Sequence, residues 1–378
     1  MSNILRWGVF FIVLCLPLYL VRFSIFNIPT TVLELMIYAL FLAWLVSKGY
    51  KNLWTALKDE KLLAWGIVLL IIGISAAAAF SWDLRVSAGI WKAWFIDPIL
   101  FFIVLISVIR KKDIKTILNV LILSGFVVAI ISLFYFFQGT LKQGRLQGIY
   151  DSPNFLAMYL ALPLILSLCF SLRLSPRLPL YLVSFLLFSV TLLFTKSFGA
   201  LLGILGALLF GLLAYFYIKN KKAIVLMIVF LFFGAVFVVG LLKINSAIGL
   251  KSFDARFVIW QKALDVFADS PILGIGPGTF ESYFPLFPKW GVPQPHNIFL
   301  AFLIQTGMAG FVGFIIILIW FFRRGLKLLK TQYSLLLMII TAYILIHGLV
   351  DTTYWKNDLS VIFWLIMGLM LIIKKESS

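Results

Sequence analysis

The sequence predicts an all-α polytopic membrane protein. Of its 378 residues, 63% are hydrophobic and 12% are charged, against roughly 45–50% and 25% in a soluble domain. Apolar runs recur from end to end, each of about the twenty residues that cross ~30 Å of hydrocarbon. Lys and Arg collect in alternate connecting segments, as retention of basic loops on the cytoplasmic side requires.

About twelve spans follow along a single integral-membrane domain, 1–378, each placed by an apolar run of membrane length. The first, 7–21, begins after Arg6. It reads as a retained span, because it lacks a small-residue cleavage site and another span follows directly. Spans 31–47 and 62–80 flank a segment holding Lys48, Lys51, Lys58 and Lys61, and 94–109 runs into Arg110, Lys111 and Lys112. Spans 117–137 and 155–171 follow, the latter opened by Pro153. A short turn joins 179–194 to 198–218, and Lys221 and Lys222 precede 223–242. Span 297–322 stops at Arg323 and Arg324, and 334–350 and 359–373 complete the set.

With the N-terminus inside, the inner segments hold 20 of the 32 basic residues but four of the 14 acidic ones. An even span count places both termini in the cytoplasm. The net charge of +18 therefore reads as topology plus attraction to anionic lipid, and not as nucleic-acid binding. Cys15 and Cys169 lie inside spans and imply neither a disulfide nor a metal cluster. No internal repeat suggests a transporter built from inverted halves.

The outward segments carry the chemistry. The largest, 243–296, lies between the ninth and tenth spans. Within it, Phe257, Trp260, Leu264 and Phe267 recur at helical spacing, opposite Arg256, Lys262, Asp265 and Asp269. Asp254 can cap this amphipathic helix and Pro271 can end it, so it is expected to lie flat at the outer interface. The run Gly274–Phe280 (GIGPGTF) follows no strand and lacks a Lys-Ser/Thr sequel. It reads as a tight turn rather than a nucleotide loop, with an anion-binding nest as the alternative.

Other outward segments supply Arg145 and Asn154, Lys196, and then His347, Asp351, Lys356 and Asp358. Cations gathered at one face suit an anionic lipid head group. Each has a plainer reading as well. Loop cations snorkel to phosphates, Asn154 can cap a helix, and His347 and Asp351, four apart, can satisfy each other. His296, one of two histidines, stands at a helix start. The dipole there favours a neutral imidazole, able to serve as a base.

His296, Asn297, Gly307 and Gly310 fit a pattern of the O-antigen ligase and polymerase superfamily: His, then Asn, Ser or Gln, nine residues, Gly, two residues, Gly. The segment "RFVIW…SPILGIGPGTF" resembles that family's outer loop, with Arg256 in the place of its essential arginine. "GRLQGIYDSPNFLAMYLALPL" resembles its earlier Arg–Gly–Pro–Asn segment. The chain departs from the family at Phe198, where an arginine often stands, and Lys196 is the nearby cation.

The resemblance implies a GT-C-like fold and a bacterial cytoplasmic membrane location with an outward-facing active site. It implies a glycan donor on undecaprenyl pyrophosphate, and a glycan, lipid or protein acceptor such as a lipopolysaccharide core. Under it, Arg256, Arg145 and Lys196 or Lys356 hold the pyrophosphate, and His296 is the general base. Asn297, Asn154 and Asp351 orient the acceptor or the imidazole. No cofactor is implied, and without an outer Asp-x-Asp pair no metal is expected. Transfer is then inverting. A polymerase of repeat units uses the same donor and base, so both readings stand. A flippase for lipid-linked sugars should line a cavity through the membrane with charge, whereas these cations sit at one face.

The topology is directly testable. A Ser282→Cys protein should react from outside with a thiol reagent that cannot cross membranes. Labelling only after permeabilisation would reverse the orientation.

Overall fold

The computed structural model describes residues 2–26, 28–50, 53, 57–172, 177–219, 250–283, 293–329, 331 and 333–373. Its helices in chain order are α1 (Ser2–Leu14), α2 (Val32–Val46), α3 (Lys61–Ala79), α4 (Leu84–Trp91), α5 (Asp97–Val108), α6 (Ile114–Phe137) and α7 (Pro153–Ser171). Then come α8 (Leu178–Thr195), α9 (Phe198–Lys219), α10 (Leu250–Asp269), α11 (Ile298–Lys327), α12 (Ser334–His347) and α13 (Asn357–Ile372). Among the described residues, seven helical stretches are long and apolar enough to cross a membrane, and four further apolar helices are shorter. Together they coincide with eleven of the expected spans. The expected span 223–242 lies outside the described residues, as do 243–249 and 284–292 of the outer loop.

Two features were not anticipated. A short antiparallel hairpin pairs β1 (Arg22–Ile25) with β2 (Ile28–Thr31), and Thr31 then caps α2 through the Glu34 amide. Helix α4 runs through a π-turn at Lys92–Ile96 into α5, so this span starts ten residues before its apolar core. Arg85 and Lys92 had disguised the start by lowering its hydropathy.

The centre of the bundle is α13, nearly every residue of which is buried and which packs chiefly against α5; α7 is also largely buried. Helices α8 and α9 are peripheral and expose Leu180, Leu186, Leu193, Leu201 and Leu205. An exposed leucine face is what hydrocarbon demands.

The closest helix pair is α3 with α11, and glycines make it possible. A β-carbon on Gly73 would overlap the backbone of Gly310, and one on Gly313 would overlap the Leu70 amide. In a membrane, helix association rests on such close backbone approach, because lipid tails are as apolar as leucine. The second glycine of the His296 pattern is thus a packing residue.

The first glycine does something else. Residues 297–322, expected as one continuous span, are broken at Gly307 (φ 64°, ψ −176°), a region that only glycine enters readily. The break frees backbone groups that hydrocarbon would leave unsatisfied, and the segment after α10 supplies their partners. Ile275 donates its amide to the Ile304 carbonyl at 2.8 Å, and Met308 donates to the Pro271 carbonyl at 3.1 Å. The glycine run is indeed a turn, with Gly274, Gly276 and Gly278 at positive φ. Amides of Gly274, Ile275 and Gly278 donate to Ser270, Ile304 and Gln305, which leaves them turned away from any anion.

Helix α10 differs from expectation in two ways. It starts at Leu250, so Asp254 lies inside it and is not its cap. Its packed face centres on Ile259, Ala263 and Val266, set against Ile275, Phe280 and Ile304, with Trp260 and Phe267 of the expected stripe partly buried against the same cluster and Phe257 and Leu264 exposed. The packed face is thus turned by part of a helical turn from the expected one.

Gly307→Ala should cost about 1–3 kcal/mol, because a β-carbon there is both conformationally strained and overlaps the Ile272 carbonyl. Thermal unfolding in detergent checks this, and an unchanged melting temperature would mean that the break relaxes into regular helix.

Candidate active site

Chain direction brings five helix ends together: the starts of α7, α11 and α13 and the ends of α8 and α12. The loop between α12 and α13, residues 348–356, lies among them. Its Asp351 is 3% exposed, and a carboxylate so buried needs partners on every lone pair.

Those partners define the site. Asp351 Oδ1 accepts the Thr352 amide at 2.9 Å and faces His296 Nδ1 at 3.1 Å. Its Oδ2 accepts from Asn154 Nδ2 at 3.0 Å. Burial alone would raise the proton affinity of this carboxyl; the hydrogen bond from His296, that residue's charge and the Thr352 amide outweigh it and hold the pKa down to about 2. An ionised carboxylate at Nδ1 fixes the proton there and leaves Nε2 with its lone pair. The His296 side chain is 34% exposed, so a substrate hydroxyl can reach it.

The same carboxylate gathers two arginines. Arg145 Nη2 donates to Asn154 Oδ1 at 2.6 Å, and its Nε donates to the Thr195 carbonyl at 2.8 Å. Arg256, from α10, donates from Nε to the carbonyl of Val350, next to Asp351, at 2.8 Å. The Arg145 guanidinium holds its proton less tightly than usual, chiefly through burial; Asp351 opposes that shift and the nearby Arg256 charge adds to it. Two guanidinium groups repelling each other beside one carboxylate make a place where an anion is stabilised.

Lys196 directly follows Thr195. It closes α8 in the left-handed conformation and borders a cavity of about 440 Å³ between α7, α8 and α9. Leu164, Phe185, Leu192, Phe198 and Leu201 line that cavity. Lys356 is placed differently. Its ammonium pairs with Asp151 at 3.1 Å and sits 3.6 Å above the Phe155 ring.

Two plainer readings fail, and so does one functional contact. Ser152, not Asn154, caps α7, because the Asn154 side chain bridges Arg145 and Asp351. His347 and Asp351 do not satisfy each other through their side chains: α12 ends at His347, whose Nδ1 meets Tyr343 at 2.8 Å. Asn297 does not touch the imidazole. It caps α11 by accepting the amides of Phe299 and Leu300, and donates to the Leu349 carbonyl at 3.1 Å.

Residues 182–315 match the family model described as O-antigen ligase. Over these residues the chain is similar to the O-antigen ligase family, as its sequence motifs led us to expect. The matched segment carries Lys196, Arg256, His296 and both pattern glycines, whereas Arg145, Asn154 and Asp351 come from outside it. No curated protein matches the chain. The match and the apolar helices together support, in general terms, a multi-pass membrane protein of the kind that transfers lipid-linked glycans.

Sequence reasoning overlooked Gln294 and Gln305, and read Trp260 only as part of an apolar stripe. The indole of Trp260 makes a long 3.4 Å bond to the His296 carbonyl. Gln305 had a visible signal, a buried amide in the middle of an apolar run.

Asp351 contributes stability above the ordinary carboxylate range and loses it as pH falls through its lowered pKa. Asp351→Asn protein should therefore melt below the parent at pH 7, with the gap closing between about pH 4 and about pH 2. An equal gap at pH 7 and pH 3 would mean that the carboxylate charge is not what holds the loop.

Proposed function

We propose that the protein is a ligase that moves a glycan from undecaprenyl pyrophosphate to an acceptor hydroxyl at the outer membrane face, with inversion. The observation that carries this reading is the His296–Asp351 pair, set between Arg145 and Arg256. Asp351 holds the imidazole so that Nε2 takes the proton of the acceptor O–H. The acceptor oxygen attacks C1 of the donor sugar as the C1–O bond to pyrophosphate breaks. The leaving group departs with the bonding pair, and its growing charge is met by Arg256 and Arg145. Preorganised cations in a poorly solvated site favour that charge more than the ground state does.

Lys196 supports the leaving group from the mouth of the apolar cavity, whose leucine and phenylalanine walls suit a polyprenyl chain. We assign the third cation to Lys196 rather than Lys356, because the Lys356 ammonium is already held by Asp151 and Phe155. Asn154 positions Arg145 and Asp351, and Asn297 positions the loop through Leu349. A polymerase would use the same groups on a second repeat unit, and the products tell the two apart.

The test uses purified protein and one lipid-linked donor. His296→Ala should bind donor normally and lose roughly 10²–10⁴ in transfer rate, the usual worth of a positioned base. Arg256→Lys should weaken both donor binding and rate, because an ammonium cannot reproduce a planar fork. Wild-type turnover in folded His296→Ala protein would end the base assignment, and a ladder of products would mark a polymerase.

A further inference from the structure

The base hangs from an unusual piece of backbone. His296 has φ 48°, in the left-handed region that residues other than glycine seldom occupy. On its C-terminal side, the Asn297 cap and the Ile298 amide, 2.7 Å from the Gly348 carbonyl, anchor the chain. The N-terminal side needs an anchor of its own.

That anchor is a pair of buried amides. Gln294, two residues before the base, accepts at Oε1 from Gln305 Nε2 at 2.7 Å. Gln305 Oε1 in turn accepts the Gly278 amide at 2.8 Å. Gln305 is fully buried and Gln294 is 8% exposed, so water does not compete with these bonds. Gln305 stands two residues before the break at Gly307. One side chain thus joins the broken helix, the glycine turn and the segment that carries His296.

We infer that Gln305 is a positioning residue, which acts through Gln294 to set the height and direction of the His296 imidazole. It touches neither substrate nor imidazole. An amide is suited to the task because it donates and accepts at once. A leucine of similar volume can do neither, and a carboxylate accepts from Gly278 but cannot donate to Gln294 when ionised. The inference rests on the reading of His296 as the base, and a misplacement of about 1 Å at such a group can cost on the order of 100-fold in rate.

The experiment is a double-mutant cycle on full-length protein, with transfer rate and donor affinity measured separately. Gln305→Leu should lower kcat by about ten- to a hundred-fold with KM for the donor within about two-fold of the parent. In a His296→Ala background, the same substitution should change the residual rate little, because no base remains to be misplaced. If Gln305→Leu fails to fold, Gln294→Ala, at the more exposed end of the pair, replaces it in the same cycle. An equal rate loss with and without His296 would show a general structural role and overturn the inference. So would a parental kcat in Gln305→Leu when His296→Ala is crippled. A parental rate in His296→Ala would instead remove the base assignment itself, together with this consequence of it.

Discussion

A single buried carboxylate organises the functional end of this bundle. Asp351 is almost wholly shielded from solvent, so its charge must be met by protein on both oxygens. One oxygen draws in the imidazole of His296 from the start of α11, and the other draws in the Asn154 amide and, through it, Arg145. Removing one partner of a buried charge costs about 3–5 kcal/mol, so these groups hold one another in place. Three segments, tied also by the Asn297–Leu349, Ile298–Gly348 and Lys356–Asp151 contacts, acquire one shared geometry.

The break in α11 is the second constraint. A continuous helix would leave the base on a simple helix start, with no fixed approach to the loop from above. At Gly307 the helix gives up regular backbone bonds, and the turn after α10 takes them. That exchange docks α10 against the bundle, and α10 carries Arg256. Base and cation are therefore delivered by the same irregularity. Below the break, Gly310 and Gly313 press α11 onto α3, so that the departure from helix is confined to the end where the site lies.

Charge distribution across the molecule follows the same division. At the opposite end, Arg324 pairs with Glu60 and donates to the carbonyls of Met370 and Leu371 at 2.9 Å. It caps the end of α13. At the site end, His296 stays partly exposed and an apolar cavity opens beside Lys196. Cations at the two ends thus do different work, one closing a helix and the other facing an opening.

The sequence by itself determined which segments become membrane helices. Hydrophobicity and length are local properties, and the bilayer reads them directly. It also isolated His296, Gly307, Gly310, Arg145 and Arg256, because charges and glycines in an apolar chain are costly enough to stand out. Tertiary structure alone decided what each of them meets. Asp351 reaches His296 across 55 residues, and no periodicity encodes that contact. Of the large apolar side chains on α10, Trp260 and Phe267 pack against the bundle while Phe257 and Leu264 are left exposed, and that division depends on where α11 lies. Gln305 read as one polar residue in an apolar span until the break at Gly307 turned it toward Gln294. Such assignments depend on which helix ends coincide in space, and that is settled only when the whole bundle packs.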